Sequence, residues 1–481
     1  MTDAKNYRAI AISATLGRLL PMIILKRLES AYNSLIDQSQ CGFVSGKSCD
    51  DALWTLQNLC KKKNDKFYLV FLDLRAAYDK VPRNLLFEIL SIYFNDSKLI
   101  KILKGLYTNT TAQIKDSAVE FITEAGCRQG GIESPCFFNC FLDWVMRVTV
   151  EKLKEEVGDK LGLTLKYNIL QECANVTERV ERAYINSVVE ILRILFADDG
   201  VLAFKDVDSL RRGTELLDDV FTSYGLTLAY SKTETMVVNG TAEETNAKTL
   251  ISIKGHDLQN TASFKYLGNM ISQTNTNQDL IDFRIQSGWS KYYSMKEVYL
   301  SRTVRSTLKG QLLNAFVRSR FCYGCAAWDI GMPEDCVKKI EAAWMDMNRR
   351  IVRGGHKRKK SPPAKKRGQS QADYEEFLKS DDWDYSFVYT NDEIFKINGT
   401  EPLLPFIRRQ QVKWIGHCAR MKNMAVQKQM LFAKTEVKYQ RDIWPKLGKI
   451  TSLDPCDLRR KMMDRSSFSG WLKVWPGSHR C

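Results

Sequence analysis

ILFADDGVLAF, residues 194–204, sets two carboxylates between two apolar runs, and the reading of the whole chain turns on it. Ile191–Ala197 is an apolar, strand-like run, Asp198, Asp199 and Gly200 interrupt it, and Val201–Phe204 resumes the pattern. Strand, acidic pair with glycine, strand is a hairpin signature. Working outward, KFYLVFLDL (66–74) is a second strand, β-branched and aromatic, that ends in Asp73. If the two strands are neighbours, Asp73, Asp198 and Asp199 converge at one edge of a sheet. Unpaired, such carboxylates repel and raise each other's pKa. A divalent cation relieves the repulsion, and two cations about 3.5–4 Å apart form the clamp used for in-line phosphoryl transfer. Mg²⁺ suits an all-oxygen ligand set. The plainer reading is that Asp199-Gly200 marks a type I′ turn and nothing more, since Asp-Gly is a favoured hairpin dipeptide.

Composition narrows the partners. Lys and Arg total 72 against 56 Asp and Glu in 481 residues, a formal net charge of +16. An excess of that size favours a polyanion, because each phosphate contact releases counterions. The 13 cysteines follow no disulfide rhythm, and the close pair Cys322 and Cys325 lies in an apolar, helical-looking stretch. With four histidines there is no convincing zinc site, and free thiols point to a reducing, intracellular compartment. No apolar run reaches membrane-spanning length, so no membrane partner is expected.

Between the carboxylates the pattern alternates. Residues 8–36 carry Leu16, Leu19, Leu20, Ile23, Ile24 and Leu28 at helical spacing. A glycine-containing loop (Cys41–Lys47) precedes a helix from about Asp50, with Asp as its N-cap, to Leu59. Pro82 opens a helix over 83–95, and the loop Cys127–Pro135 feeds an apolar helix, Cys136–Val150. The charged stretch 151–190 reads as an insertion. A helix over 208–224, a strand at Thr235–Val238, a hairpin near Phe264–Ile271 and a helical region over 278–350 follow. Basic residues and two prolines make 349–371 an extended linker.

Taken in order, these stretches resemble the motifs of reverse transcriptases. FYLVFLDLRAAYDKV (67–81) looks like the first catalytic motif, CRQGGIESPCFFNCFLDW (127–144) like the RQG-xxx-SP motif, and residues 194–204 like the F/YADD motif. GLTLAYSKTETMVV (225–238) and FKYLGNMIS (264–272) look like the next motif and the primer-grip turn. NYRAIAI (6–12), QCGFVSGKSCDDAL (40–53) and FIRRQQVKWIGHCARM (406–421) resemble segments of non-LTR (LINE-type) retrotransposons.

The resemblance implies an α+β, right-hand polymerase fold: a four-stranded antiparallel palm sheet, partial fingers, a helical thumb and a small C-terminal region. The corresponding boundaries are fingers 1–62, palm 63–245, primer-grip hairpin and thumb 246–348, linker 349–371 and C-terminal region 372–481. It implies an RNA-directed DNA polymerase taking an RNA template, a DNA primer or target and dNTPs, with two Mg²⁺ for which Mn²⁺ can substitute. Asp73 and Asp198 would ligate metal, with Asp199 their partner and Leu74 lending its backbone. Tyr78 would be the steric gate against a ribose 2′-hydroxyl, and Gln129 and Gly130 would position template and nucleotide. Lys232 would donate a proton to pyrophosphate, and Tyr266, Leu267 and Gly268 would form the primer grip. Lys357, Arg358, Lys359 and Lys360 with Lys365, Lys366 and Arg367 form a nuclear-import signal, an RNA-binding arm or a plain solvated linker. The resemblance further implies priming on genomic DNA, which would place the chain in the nucleus, with a cytoplasmic ribonucleoprotein stage.

Three departures from the family pattern stand out. The fingers strand that supplies a triphosphate-binding lysine belongs upstream of NYR, so an N-terminally truncated copy is expected, with Arg8 as the remaining cationic contact. Glu133 stands where an apolar residue is usual and is expected to disturb the template-side loop. The same truncated copy is expected to lack the endonuclease domain of many such elements. Two alternatives therefore stand beside the polymerase: a catalytically impaired, nucleic-acid-binding remnant of the same element, and a group II intron-type maturase suggested by QGG at 129–131.

Overall fold

The computed structural model describes residues 10–61, 65–114, 119–170, 184–191, 193–273, 276–352, 355, 358–360, 370–379, 385–422, 425–432 and 443–475. The chain forms two compact units, Met1–Asn275 with Met421–Asp442, and Thr276–Arg420 with Ile443–Cys481.

In the first unit, helices α1 (Thr15–Leu35) and α2 (Cys49–Cys60) precede strand β1 (Phe67–Leu72). Helix α3 (Ser134–Val157), strands β2 (Arg193–Phe196) and β3 (Asp199–Phe204) and helix α4 (Val207–Ser223) follow. Strands β4 (Glu234–Val238), β5 (Thr249–Ile253), β6 (His256–Asn260), β7 (Ser263–Tyr266) and β8 (Asn269–Ser272) complete the unit's described strands around the site. The sheet has six strands rather than four, in the order β2-β3-β1-β4-β6-β5. Its first four are antiparallel as expected. The tight β5–β6 hairpin, whose Lys254 and Gly255 both have positive φ, adds through a parallel contact of Gln259 and Asn260 with Glu234 and Thr235.

Strand β1 is buried along its whole length, and its period-2 alternation supplies two faces. Tyr68, Val70 and Leu72 join the core with Phe137, Phe141 and Val145 of α3 and Leu210, Leu217 and Phe221 of α4. On the other face Phe71 stacks on Phe264 of the β7–β8 hairpin at 4.1 Å between ring centroids. Full burial of an aromatic ring stabilises by about 2–3 kcal/mol, so both faces fix the level at which β1 ends.

Several local expectations change. Helix α1 starts at Thr15 and buries Pro21, Ile24, Leu28 and Tyr32, leaving Leu16, Leu19, Leu20 and Ile23 exposed. The buried stripe is set by Tyr32, whose hydroxyl donates to the Phe43 carbonyl and accepts from the Asn139 amide. Ser48, not Asp50, caps α2, with the Asp51 carboxylate reaching back to the Ser48 amide in a capping box. The stretch read as an insertion divides: 151–157 continues α3, and Leu163–Leu170 pairs with Tyr184–Ile191 as a hairpin.

The second unit is mainly helical. Ile281, Tyr292, Phe321, Trp344, Ile394 and Leu403 lie in its core, and Arg349 ties its loops by donating to the carbonyls of Gly355 and Tyr389. Tyr292 is buried there, as helical packing predicts, while Tyr293 beside it is 54% exposed and stacks on Trp289. Arg358–Lys360 pairs with Tyr385–Phe387 as a short antiparallel ladder, within the stretch expected to be an extended linker. Lys357, Lys365, Lys366, Arg367 and Arg8 lie outside the described residues. Among the described residues no helix is long and apolar enough to cross a membrane.

Candidate active site

The antiparallel ladder between β1 and β3 pairs Leu72 with Gly200. One step further along that register Asp73 stands opposite Asp199, with Asp198 next to it in the turn. Asp73 and Asp198 are partly exposed and Asp199 is exposed, so all three can meet solvent or a ligand. The plain type I′ reading of Asp199-Gly200 fails on the backbone. Gly200 is inside β3, paired with both Leu72 and Leu195, and the residue with positive φ is Ala197, at 53°. The loop is therefore Ala197-Asp198, which puts one carboxylate in the turn and the next at the head of a strand.

Asp73 is held by its backbone. Its carbonyl accepts from the Ala229 amide at 2.8 Å, and Arg75 N–H donates to the Thr227 carbonyl at 2.9 Å. Leu74 bridges to Leu228 between these two bonds. The segment bearing Lys232 is thus strapped to the segment bearing Asp73, and Lys232 Nζ lies 3.6 Å from Asp73 Oδ2. The amine is 73% exposed, so this pairing is loose and open to exchange.

Tyr78 follows Asp73 on a short helix, Ala77–Lys80, entered through Ala76 at a φ of 50°. Its ring stacks on Phe138 at 4.3 Å, which fixes its orientation. The Tyr78 carbonyl accepts from the Cys127 amide at 2.8 Å, tying this helix to the loop that carries Gln129 and Gly130. Gly130 has a φ of 99°, and a Cβ there would meet the Ala11 carbonyl oxygen at 2.6 Å. The Ala11 amide donates to the Gln129 carbonyl at 2.6 Å, so Ala11 lies directly on this loop. Only glycine allows both the approach and the backbone conformation.

Glu133 does not disturb the loop. It is 3% exposed, and its carboxylate accepts from the Tyr107 hydroxyl at 2.9 Å. Burial first, then the Glu133 charge, push the Tyr107 phenol far above its ordinary pKa, so it remains a donor. Arg83 completes the support, donating to the carbonyls of Gly126 and Tyr107 and to Thr110 Oγ1 at 3.0–3.1 Å.

Tyr266 is buried against Phe71, its ring 6.3 Å away. Leu267 and Gly268, with φ of 46° and 76°, form a two-residue loop between the paired Tyr266 and Asn269. This is the sign pattern of a type I′ turn. The loop residues are partly exposed at the tip, so the hairpin offers a backbone edge on a rigid aromatic footing.

The donor chemistry fits a hard divalent cation, since every candidate ligand is a carboxylate or carbonyl oxygen. Convergence is looser than the sequence suggests. Among the described residues no group of three or more His, Cys, Asp or Glu side chains is drawn together tightly enough to hold an ion. Mg²⁺ does not demand such a cage: it keeps several waters and takes one or two carboxylates plus substrate phosphates.

Two supporting residues lie within a quoted motif but carry no role there. Gln40 is 1% exposed and its side chain meets the backbone of Ala197, while Gly42 lies against the same peptide. The signal that could have found them is the QCGF stretch itself.

Residues 2–271 match the family model described as reverse transcriptase (RNA-dependent DNA polymerase), more than half of the chain. The chain is 26% identical over 164 residues to the Pol polyprotein of the type-2 retrotransposable element R2DM of Drosophila melanogaster, covering 33% of this chain and 15% of that protein. It is 27% identical over 148 residues to the Pol polyprotein of the type-1 element R2 of Popillia japonica, covering 30% of this chain and 21% of that one. These relatives agree with the non-LTR likeness of the motifs, and the chain spans about a fifth or less of their length. The apo telomerase of Candida tropicalis superposes with a TM-score of 0.37 at 13% identity, over 86% of this chain and 60% of that one, a likeness too low to argue from.

Proposed function

We propose that this chain, which belongs to the reverse transcriptase (RNA-dependent DNA polymerase) family, extends a DNA primer on an RNA template as the polymerase of a non-LTR retrotransposon. The observation that carries this reading is the placement of Asp73 and the Asp198-Asp199 pair at one end of adjacent strands, beside Lys232 and the β7–β8 hairpin. Asp73 and Asp198, with the Leu74 carbonyl, would hold Mg²⁺, or Mn²⁺ in its place, and Asp199 would lend its charge. When bound, two such ions would lower the pKa of the primer 3′-hydroxyl and neutralise charge on the triphosphate.

The remaining roles fall to the chain itself. Tyr78, fixed by its stack on Phe138, would lie under the sugar and exclude a 2′-hydroxyl. The Gln129–Gly130 loop, clamped by Ala11, would position template and dNTP, with Arg8 a further contact to the triphosphate. Lys232 would keep its proton within reach of the departing pyrophosphate, and Tyr266, Leu267 and Gly268 would hold the primer end. The net charge of +16, with the basic stretch 357–367, suits a template and target bound through phosphates and entry to the nucleus.

The test is primer extension on a primed RNA template with Mg²⁺ and dNTPs, comparing the wild type with Asp198→Ala. The reading predicts extension by the wild type and none by the variant. Salt-sensitive RNA binding without extension by either protein would instead support the impaired, nucleic-acid-binding remnant.

A further inference from the structure

Asp198 is preceded by a residue whose backbone is in the wrong region for its type. Ala197 has a φ of 53°, a left-handed conformation that a non-glycine residue rarely adopts without outside support. The support comes from a side chain 157 residues away in sequence. Gln40 Oε1 accepts from the Ala197 amide at 2.9 Å, and Gln40 Nε2 donates to the Ala197 carbonyl at 3.3 Å. The same Oε1 accepts from the Gly42 amide at 2.9 Å. Two backbone N–H groups therefore converge on one atom of this side chain, which identifies that atom as oxygen and leaves the NH₂ for the carbonyl.

The clamp is itself fixed. The Leu195 amide donates to the Ser39 carbonyl at 3.0 Å and the Cys41 amide to the Leu195 carbonyl at 2.8 Å, docking 39–41 on the free edge of β2. Gly42 lies so close that a Cβ on it would sit 2.5 Å from the Ala197 nitrogen. Gln40 is 1% exposed, so water cannot compete for its bonds. Among side chains of this length only glutamine offers an uncharged acceptor and donor together. Glutamate at neutral pH would set a carboxylate against the Ala197 carbonyl, and methionine fills the volume without strong hydrogen bonds.

We propose that Gln40 is a positioning residue for nucleotide transfer, holding the Ala197 peptide in its left-handed conformation so that Asp198 is presented at a fixed place beside Asp73. The proposal rests on the polymerase reading above, and Gln40 touches no reacting atom. A residue that only glued the 39–42 segment to the sheet would affect stability alone. A positioning residue also changes the metal requirement and the rate.

The experiment uses the full chain as wild type, Gln40→Met, Gln40→Glu and Gln40→Met with Ala197→Gly. Single-nucleotide incorporation on a primed RNA is measured against Mg²⁺ concentration, with thermal unfolding and amide hydrogen exchange over 195–200 recorded alongside. Gln40→Met and Gln40→Glu are expected to lower the rate at saturating primer–template by about 10- to 100-fold, as small misplacements of reacting groups do. They should raise the Mg²⁺ needed for half-maximal rate and leave KM for primer–template within about twofold. Ala197→Gly should restore part of the rate, because glycine takes a positive φ without the clamp. Folded variants with wild-type rate and Mg²⁺ dependence, or with losses that only track the unfolded fraction, would overturn the proposal. If the wild type extends nothing, the polymerase reading fails separately, and hydrogen exchange still judges the clamp. Faster exchange over 195–200 in Gln40→Met supports it, and unchanged exchange refutes it.

Discussion

Two hairpins of this molecule have loops of equal length and opposite means of support. In β7–β8 the loop residues Leu267 and Gly268 both have positive φ, and glycine occupies the second position. Gly268 takes its positive φ without strain, so that turn closes largely on its own chemistry, with Leu267 its one strained residue. In β2–β3 the loop is Ala197-Asp198, the positive φ falls on alanine, and the nearby Gly200 is already within the strand. Nothing local favours this turn, and Gln40 and Gly42 supply what is lacking. The hairpin that would hold primer is self-sufficient, whereas the one that would hold metal depends on a distant segment. Damage to residues 37–42 should therefore reach the metal-side hairpin and spare the other.

Among the substitutions that probe this contrast, the largest effect is expected from Gly42→Ala. Its Cβ would collide with the Ala197 backbone, so stability should fall by about 3 kcal/mol and incorporation by about 100-fold, checked by denaturant unfolding and a single-nucleotide assay. Asp37→Asn comes next. Burial pushes the Asp37 carboxyl upward, but Arg193 beside it at 3.1 Å and the Ser39 amide override this and hold it below its ordinary value. Arg193, which also donates to Ser39 Oγ and the Met146 carbonyl, would lose its partner while largely buried. The substitution should lower stability by about 2 kcal/mol at pH 7. Because the folded-state pKa is depressed, this contribution is present above the unfolded value near about 4 and is lost as pH falls through the folded value. Unfolding curves for wild type and variant should thus converge below about pH 4.

The self-sufficient turn should respond more mildly. Gly268→Ala places an L side chain at a φ of 76° and should cost about 1 kcal/mol in thermal unfolding, without changing the Mg²⁺ dependence of incorporation. Leu267→Asn should stabilise by about 0.5 kcal/mol, since asparagine accepts the left-handed region better than leucine. If Gly268→Ala altered the metal requirement as strongly as Gly42→Ala, the contrast between the hairpins would be broken.

Much of this was legible in the residues. β1, with Asp73 just beyond its end, follows from an uninterrupted apolar, β-branched run, and the strand–acid–strand pattern at 194–204 forms the hairpin it predicts. What escaped depends on contacts between segments far apart in the chain, which periodicity does not encode. The Gln40 clamp spans 157 residues, and Gln427 reaches back to Thr55 Oγ1 at 3.1 Å to bring helix Val426–Phe432 onto α2. The parallel addition of β6 to β4 needs only two residues, too few to leave a pattern. Glu133 looked disruptive because its partner, Tyr107, lies on a loop 26 residues earlier. Helix α1 misled in the other direction: Leu16 and Leu19 keep helical spacing yet stay exposed, because Tyr32 and its bonds to Phe43 and Asn139 choose which stripe is buried.

The most direct test of the central claim is single-turnover incorporation of one dNTP on a primed RNA template, with Mg²⁺, by the wild type and Asp73→Asn side by side. The account predicts measurable incorporation by the wild type and a loss of about 1,000-fold or more in the variant, with RNA affinity and thermal stability retained. Equal incorporation by the two proteins would contradict it, because Asp73 follows the strand that pairs directly with the one Asp199 opens.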